Sequence, residues 1–137
     1  MELLRRENFA SGAPLEEKVG YSRAVKVGNL VYVGGTTTTN PQGVVEAEGD
    51  PYEQARIICA KIVDALGRAG ATPADVVRVR IYVTDIKLTG EIMRAYSEVF
   101  KTVKPVTMLA EVSALARPAH LVEMEAEAII GTYMTSR

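Results

Sequence analysis

Glu123, Glu125 and Glu127 stand two residues apart near the end of the chain. They belong to residues 104–130, KPVTMLAEVSALARPAHLVEMEAEAII, which read as two alternating segments joined by a Pro-containing turn. A period of two is that of a β-strand. The three carboxylates therefore share one face, and Val122, Met124, Ala126, Ala128 and Ile130 share the other. Such a row has two readings. It is a sheet face neutralised by Arg78 and Arg80 of an earlier strand, each cross-strand pair contributing about 0.2–1 kcal/mol. Alternatively its end nearest the turn, Glu123, walls a site. Glu125 and Glu127 fit the paired reading better.

Other catalytic chemistry has little material. There is one histidine and one cysteine, which makes a zinc site implausible. A Ser–His–Asp or Cys–His arrangement could use only His120, and nothing local marks a nucleophile elbow. His120 follows the Pro118–Ala119 turn and is expected to be exposed. Cys59 falls in an apolar helical stripe and reads as a buried, inert thiol.

The 137 residues fit one domain spanning the whole chain, large enough to bury a core without metals or disulfides. The net charge of −1 gives no support for a nucleic-acid or anionic-membrane partner. No apolar run approaches the roughly 20 residues of a membrane span, and no signal-peptide core is present. With a single cysteine, a reducing cytoplasmic compartment is expected.

The elements that would position the glutamates follow from spacing. A short edge strand is expected at residues 3–6. Residues 21–35 form two β-prone runs around Gly28-Asn29, a tight hairpin signal. Gly34-Gly35 ends the second run, where the chain bulges or something approaches the backbone closely. Residues 36–50 read as loop. Asp50-Pro51 opens a helix as cap and first residue, with Glu53 at capping-box spacing and Gly70 as its stop. Ala55, Ile58, Cys59, Ile62, Leu66 and Ala69 form its buried stripe. A strand is expected over 76–83, with Val77, Val79, Ile81 and Val83 inward and Arg78, Arg80 and Tyr82 outward. A second helix covers 89–100, and Pro105 bars its continuation. The order predicts an α+β, two-layer sandwich: a mixed six-stranded sheet with two helices on one face. The other face, partly apolar and partly charged, either meets solvent or packs against other subunits in a closed ring.

Several segments, in order, resemble the Rid (YjgF/YER057c/UK114) family. They are Tyr21-Ser22-Arg23-Ala24-Val25, the run from Val27 to Gly35, Glu53-Gln54-Ala55, Ala69-Gly70-Ala71 through Asp75-Val76-Val77, Val83-Thr84-Asp85, Lys104-Pro105, and Val122-Glu123-Met124-Glu125-Ala126. The resemblance implies a chorismate-mutase-like fold and a homotrimer with clefts between subunits. It implies hydrolysis of reactive enamines and imines, of the 2-iminobutanoate/2-iminopropanoate deaminase type, without cofactor. In its terms Glu123 positions the water, and Tyr21, Gly34 and Gly35 line the cleft. Thr107, Leu109 and Met93 occupy three further substrate-binding positions.

Thr107 is the departure, for it stands where the resemblance calls for a carboxylate-gripping arginine. A guanidinium offers two parallel charge-assisted hydrogen bonds and threonine one neutral hydroxyl. The loss is on the order of 2–5 kcal/mol in a desolvated site. The expected function is therefore a Rid-like hydrolase for a less charged or more apolar substrate, or else a non-catalytic small-molecule-binding trimer. Arg78, Arg80 or Arg117 is the expected stand-in if one exists.

Overall fold

A computed structural model describes residues 1–135. Its strands are β1 (Arg6–Phe9), β2 (Ala24–Val27), β3 (Leu30–Thr36), β4 (Val76–Val83), β5 (Val106–Glu111) and β6 (Val122–Ile129), and its long helices are α1 (Pro51–Arg68) and α2 (Thr89–Phe100). The strands make one sheet in the order β1-β2-β3-β6-β4-β5. Only β4 and β5 are parallel, and they are joined through α2 as a parallel pair requires. The last strand, β6, enters between β3 and β4 and joins the N-terminal meander to the β4–β5 pair. This is the mixed six-stranded α+β sandwich expected from the sequence.

Local chemistry sets the element ends. The Asp50 carboxylate accepts the Glu53 N–H at 3.0 Å, and Pro51 needs no donor partner at the first helical position. Gly70, at φ 85, takes the left-handed conformation past the end of α1. Gly28, at φ 59, turns β2 into β3. Ile58, Cys59, Ile62 and Leu66 of α1 and Ile92 and Phe100 of α2 are buried against Val31, Val79, Ile81, Val83, Val122 and Met124 of the sheet. Each full Val, Leu, Ile or Phe burial stabilises by about 1.5–3 kcal/mol.

Three expectations shift. β1 lies at Arg6–Phe9 and not at 3–6, because Phe9 reaches the core while Leu3 and Leu4 stay exposed. Val77 is exposed, because a register irregularity between Val76 and Arg78 makes it the extra residue of a bulge. The 36–50 segment is ordered by its own bonds. Thr39 bridges Val45, and Asn40 Oδ1 accepts the Gln42 and Val44 N–H groups, both at 3.0 Å.

The face of the sheet away from the helices carries Tyr32, Tyr82, Arg78, Arg80, Glu125 and Glu127, all partly exposed. Arg80 Nη1 lies 2.9 Å from Glu127 Oε1 and 3.3 Å from Glu125 Oε1, and Arg78 Nε lies 3.7 Å from Glu127 Oε2. Among the described residues no helix is long and apolar enough to cross a membrane.

Candidate active site in a charged cleft

Glu123 differs from its two neighbours in the row. Its cross-strand partner is Tyr82, not an arginine. It stands at the start of β6, where the N-terminal loop, the ends of β2 and β3, α1 and the 113–121 loop meet around a cleft of about 680 Å³. Glu16, Tyr21, Arg23, Gly35, Thr37, Thr39, Lys61, Arg117, His120 and Glu123 all contribute to its wall. Burial pushes the Glu123 carboxyl above its usual range, partly countered by the nearby Arg23 charge, and Glu125 adds a small push upward. A carboxylate raised in this way is better matched to proton transfer near neutral pH than an exposed one.

Gly34-Gly35 serves the chain's own side chains. The pairing of β3 with β6 shifts between Val33 and Thr36, so the two glycines form a bulge. A Cβ on Gly34 would come within 3.0 Å of Arg23 Nη2, and a Cβ on Gly35 would collide with the Glu123 carboxylate. The bulge is thus a saddle with a cation on one side and a carboxylate on the other. Arg23 Nη2 donates to the Gly35 carbonyl at 2.5 Å, while Arg23 Nε is buried without a partner. An unsatisfied buried donor costs about 1–3 kcal/mol. Burial also opposes the Arg23 charge, with partial relief from Glu16, Tyr21 and Glu123.

His120 is not exposed as the turn signal implies. Its exposure is 3%. Its Nε2 lies 2.7 Å from Thr39 Oγ1, and Nδ1 has no partner. Burial lowers its pKa, with Arg117 and Lys61 adding to the effect, so the ring is neutral at pH 7. The residue that draws it inward is Gln54 on α1, itself fully buried. Gln54 Nε2 donates to the Ala119 carbonyl and its Oε1 accepts the Leu121 N–H, each at 2.9 Å. Gln54 stands four residues before Ile58 and eight before Ile62, on the buried stripe, and that spacing was its legible signal.

Lys61 also comes from α1. Its ammonium donates to the Thr37 and Thr39 carbonyls at 2.6 and 3.1 Å and pins the loop after β3. Arg117 donates to the Gly43 carbonyl and ties the two loops across the cleft mouth.

Of the substrate positions expected from the sequence, Tyr21 and Gly35 line this cleft together with Glu123. Gly34 faces a shallower depression of about 210 Å³ shared with Tyr32, Arg80, Glu125 and Glu127. Met93, Thr107 and Leu109 lie outside the cleft within one protomer. Met93 and Leu109 pack on the core. Thr107 Oγ1 donates to the Pro105 carbonyl at 3.0 Å and lies 2.6 Å from the Tyr96 hydroxyl, so both its polar roles are taken internally. Arg78 and Arg80 are held by Glu125 and Glu127 and do not line the Glu123 cleft, whereas Arg117 does. Neither Arg23 nor Lys61 was singled out from sequence for the site.

Comparison with known proteins decides the family. Residues 12–130 match the family model described as Endoribonuclease L-PSP. The chain is 36% identical over 130 residues to an uncharacterised protein of Streptomyces coelicolor, covering 95% of each. It is 38% identical over 106 residues to a RutC family protein of Pyrococcus abyssi, covering 77% of this chain and 83% of that one. A crystal structure of a member of the highly conserved YjgF/YER057c/UK114 family from Mycobacterium tuberculosis superposes with a TM-score of 0.83 at 45% identity, over 92% of this chain and all of that one. The chain belongs to the Rid (YjgF/UK114) family. The YjgF gene product of E. coli shares the Rid fold at a TM-score of 0.77 and 26% identity, over 90% of this chain and 98% of that one. Tyr21, the glycine pair and Glu123 of this Rid chain thus lie within the matched region, as does Arg23.

Proposed function

We propose that the protein is a homotrimeric hydrolase of small reactive enamines or imines, with Glu123 acting on the attacking water. The observation that carries this is the placement of Glu123: a half-buried carboxyl with a raised pKa, seated on Gly35 at the cleft, without a cation within 4.0 Å among the described residues. Glu123 removes a proton from water as the oxygen bonds to the imine carbon and the C=N pair moves to nitrogen. The carboxyl passes that proton to the nitrogen, giving a neutral carbinolamine. The carboxylate then takes the hydroxyl proton as the C=O bond forms and delivers it to the nitrogen as the C–N bond breaks, so that ammonia leaves. The sum is one imine and one water to one carbonyl compound and one ammonia. An enamine enters the same path after its carbon is protonated. Every step is a proton transfer, an addition or an elimination, chemistry that a carboxylate and water can carry.

Trimer formation is supported by two surfaces. The open sheet face is only partly polar, and edge strand β5 leaves Val106 and Met108 exposed at 59% and 40%. A neighbouring copy's β5 beside the cleft would close it and limit water. The test is an imine generated in situ by an amino-acid oxidase, with semicarbazide as competing trap. The protein should cut semicarbazone formation and raise ammonia and 2-oxo acid in step. Unchanged semicarbazone with every imine and enamine tried would overturn the hydrolase reading.

One observation favours a second reading, a non-catalytic small-molecule-binding trimer. Thr107 is committed to Tyr96 and Pro105 and offers no clamp. In that case the trapping assay shows nothing while ligands still bind. An endoribonuclease activity, named in the family description, is less favoured, since a net charge of −1 supplies no basic track for a phosphate backbone.

A further inference from the structure

The cleft is lined by cations that make no ion pair among the described residues. Arg23, Lys61 and Arg117 line it, and among the described residues none of them has a carboxylate within 4.0 Å. The two carboxylates in the wall do not fill the gap. Glu16 accepts the Ser11 N–H at 2.9 Å and the Ser11 hydroxyl at 2.5 Å, and Glu123 rests on the far side of the glycine saddle. Arg117 is exposed, so water can solvate it. Arg23 and Lys61 are half-buried, and burial disfavours both charges. They are also close enough for Arg23 to depress the Lys61 ammonium further. Glu16 and Glu123 attract Arg23 and Glu46 attracts Lys61, but only from beyond ion-pair distance. Two partly desolvated like charges side by side, with no carboxylate in contact among the described residues, form a site prepared for an anion.

The donors are available. Arg23 has five N–H groups, and one is bonded, to the Gly35 carbonyl. Lys61 has three, of which two hold the Thr37 and Thr39 carbonyls. Those bonds fix the two cations in place and leave further N–H groups uncommitted. Fixed position lowers the ordering cost of binding.

We propose that Arg23, with Lys61 beside it, is the carboxylate-binding subsite of this cleft, taking the place of the arginine missing at Thr107. The ligand is a small organic acid, its carboxylate on Arg23 and its reactive carbon toward Glu123 across Gly34-Gly35. This rests on the hydrolase reading for the identity of the reactive carbon, but not for the binding of the acid. It also reverses the expectation of a less charged substrate, since the clamp has moved to another element and has not been lost.

Binding separates the two claims. The probes are 2-oxobutanoate and its neutral primary amide, titrated by NMR or calorimetry into the full-length protein at low salt. The expected result is that the acid binds at least about tenfold more tightly than the amide. Arg23→Gln should weaken the acid about 10- to 100-fold and leave the amide unchanged, Lys61→Gln should weaken it less, and exposed Lys101→Gln should have no effect. Arg23→Lys, keeping charge without the planar fork, should fall between wild type and Arg23→Gln. Equal binding of acid and amide, undiminished acid binding by a folded Arg23→Gln variant, or no acid binding by wild type would overturn the proposal. If Arg23→Gln does not fold, the acid/amide ratio of wild type and the Lys61→Gln result decide. Acid binding intact with no imine hydrolysed would leave this subsite standing and remove the hydrolase reading.

Discussion

At the scale of the residue, two ionisable groups are set apart by burial. Cys59 is 1% exposed, with its sulfur 4.0 Å from that of Met124, and burial pushes the thiol up to about 12. It is a packing group, and a thiol-specific disulfide reagent at about pH 8 should label it only after denaturation. Labelling of native protein at the rate of a free thiol would contradict this placement. Glu123 behaves differently, because its raised pKa opposes folding. The folded state holds the Glu123 proton more tightly than the unfolded chain, so stability is lost as pH rises from the ordinary carboxylate value through the folded one. Glu123→Gln removes that penalty. It should raise the Tm near pH 7, and the gain should shrink toward about pH 3, where wild type is protonated in both states. Thermal melts across that range check the sign. A variant that loses stability at neutral pH would mean that Arg23 attraction outweighs desolvation.

At the scale of the element, the site depends on a bulge and on one buried amide. Gly35→Ala places a methyl against the Glu123 carboxylate and should cost activity far more than it costs the fold, because the carboxylate can swing away and β3 cannot. Its kcat/KM against its Tm checks that split. Gln54→Ala frees the Leu121 N–H and the Ala119 carbonyl at once and should destabilise by about 2–4 kcal/mol in urea unfolding, releasing His120 from its pocket. The sequence made the elements legible. β4 and α2 follow the expected bounds, because alternation and helical spacing are local properties. The pairing of Glu125 and Glu127 with arginines was also legible, from charge and period together. The cleft was not. His120 follows a proline and carries a surface signature, and only Gln54, distant in sequence, brings it inside. Arg23 and Lys61 read as ordinary polar positions beside buried ones. Their meaning comes from the absence of a carboxylate in contact among the described residues, which no local pattern records. Gly34-Gly35 was visible as a bulge or a close approach, but what approaches it is Arg23 and Glu123, two side chains far apart in sequence.

At the scale of the whole molecule, one sheet separates two kinds of charge. The open face neutralises its own, with Arg78 and Arg80 set against Glu125 and Glu127. Among the described residues, Arg23, Lys61, Arg117 and Glu123 of the cleft at the sheet's end make no ion pair within 4.0 Å. The first arrangement suits a surface to be covered by copies of itself, the second a surface to be filled by a ligand. Sedimentation at micromolar concentration should give a trimer, and a monomer would remove the closing of the cleft by a neighbour's β5. The most direct measurement of the central claim is kcat/KM for an imine generated in situ, for wild type and for Glu123→Gln. The placement of Glu123 predicts a fall of about 100- to 10,000-fold with the fold and the binding of small acids retained. Turnover by Glu123→Gln within a few-fold of wild type would show that Glu123 is not the residue acting on water.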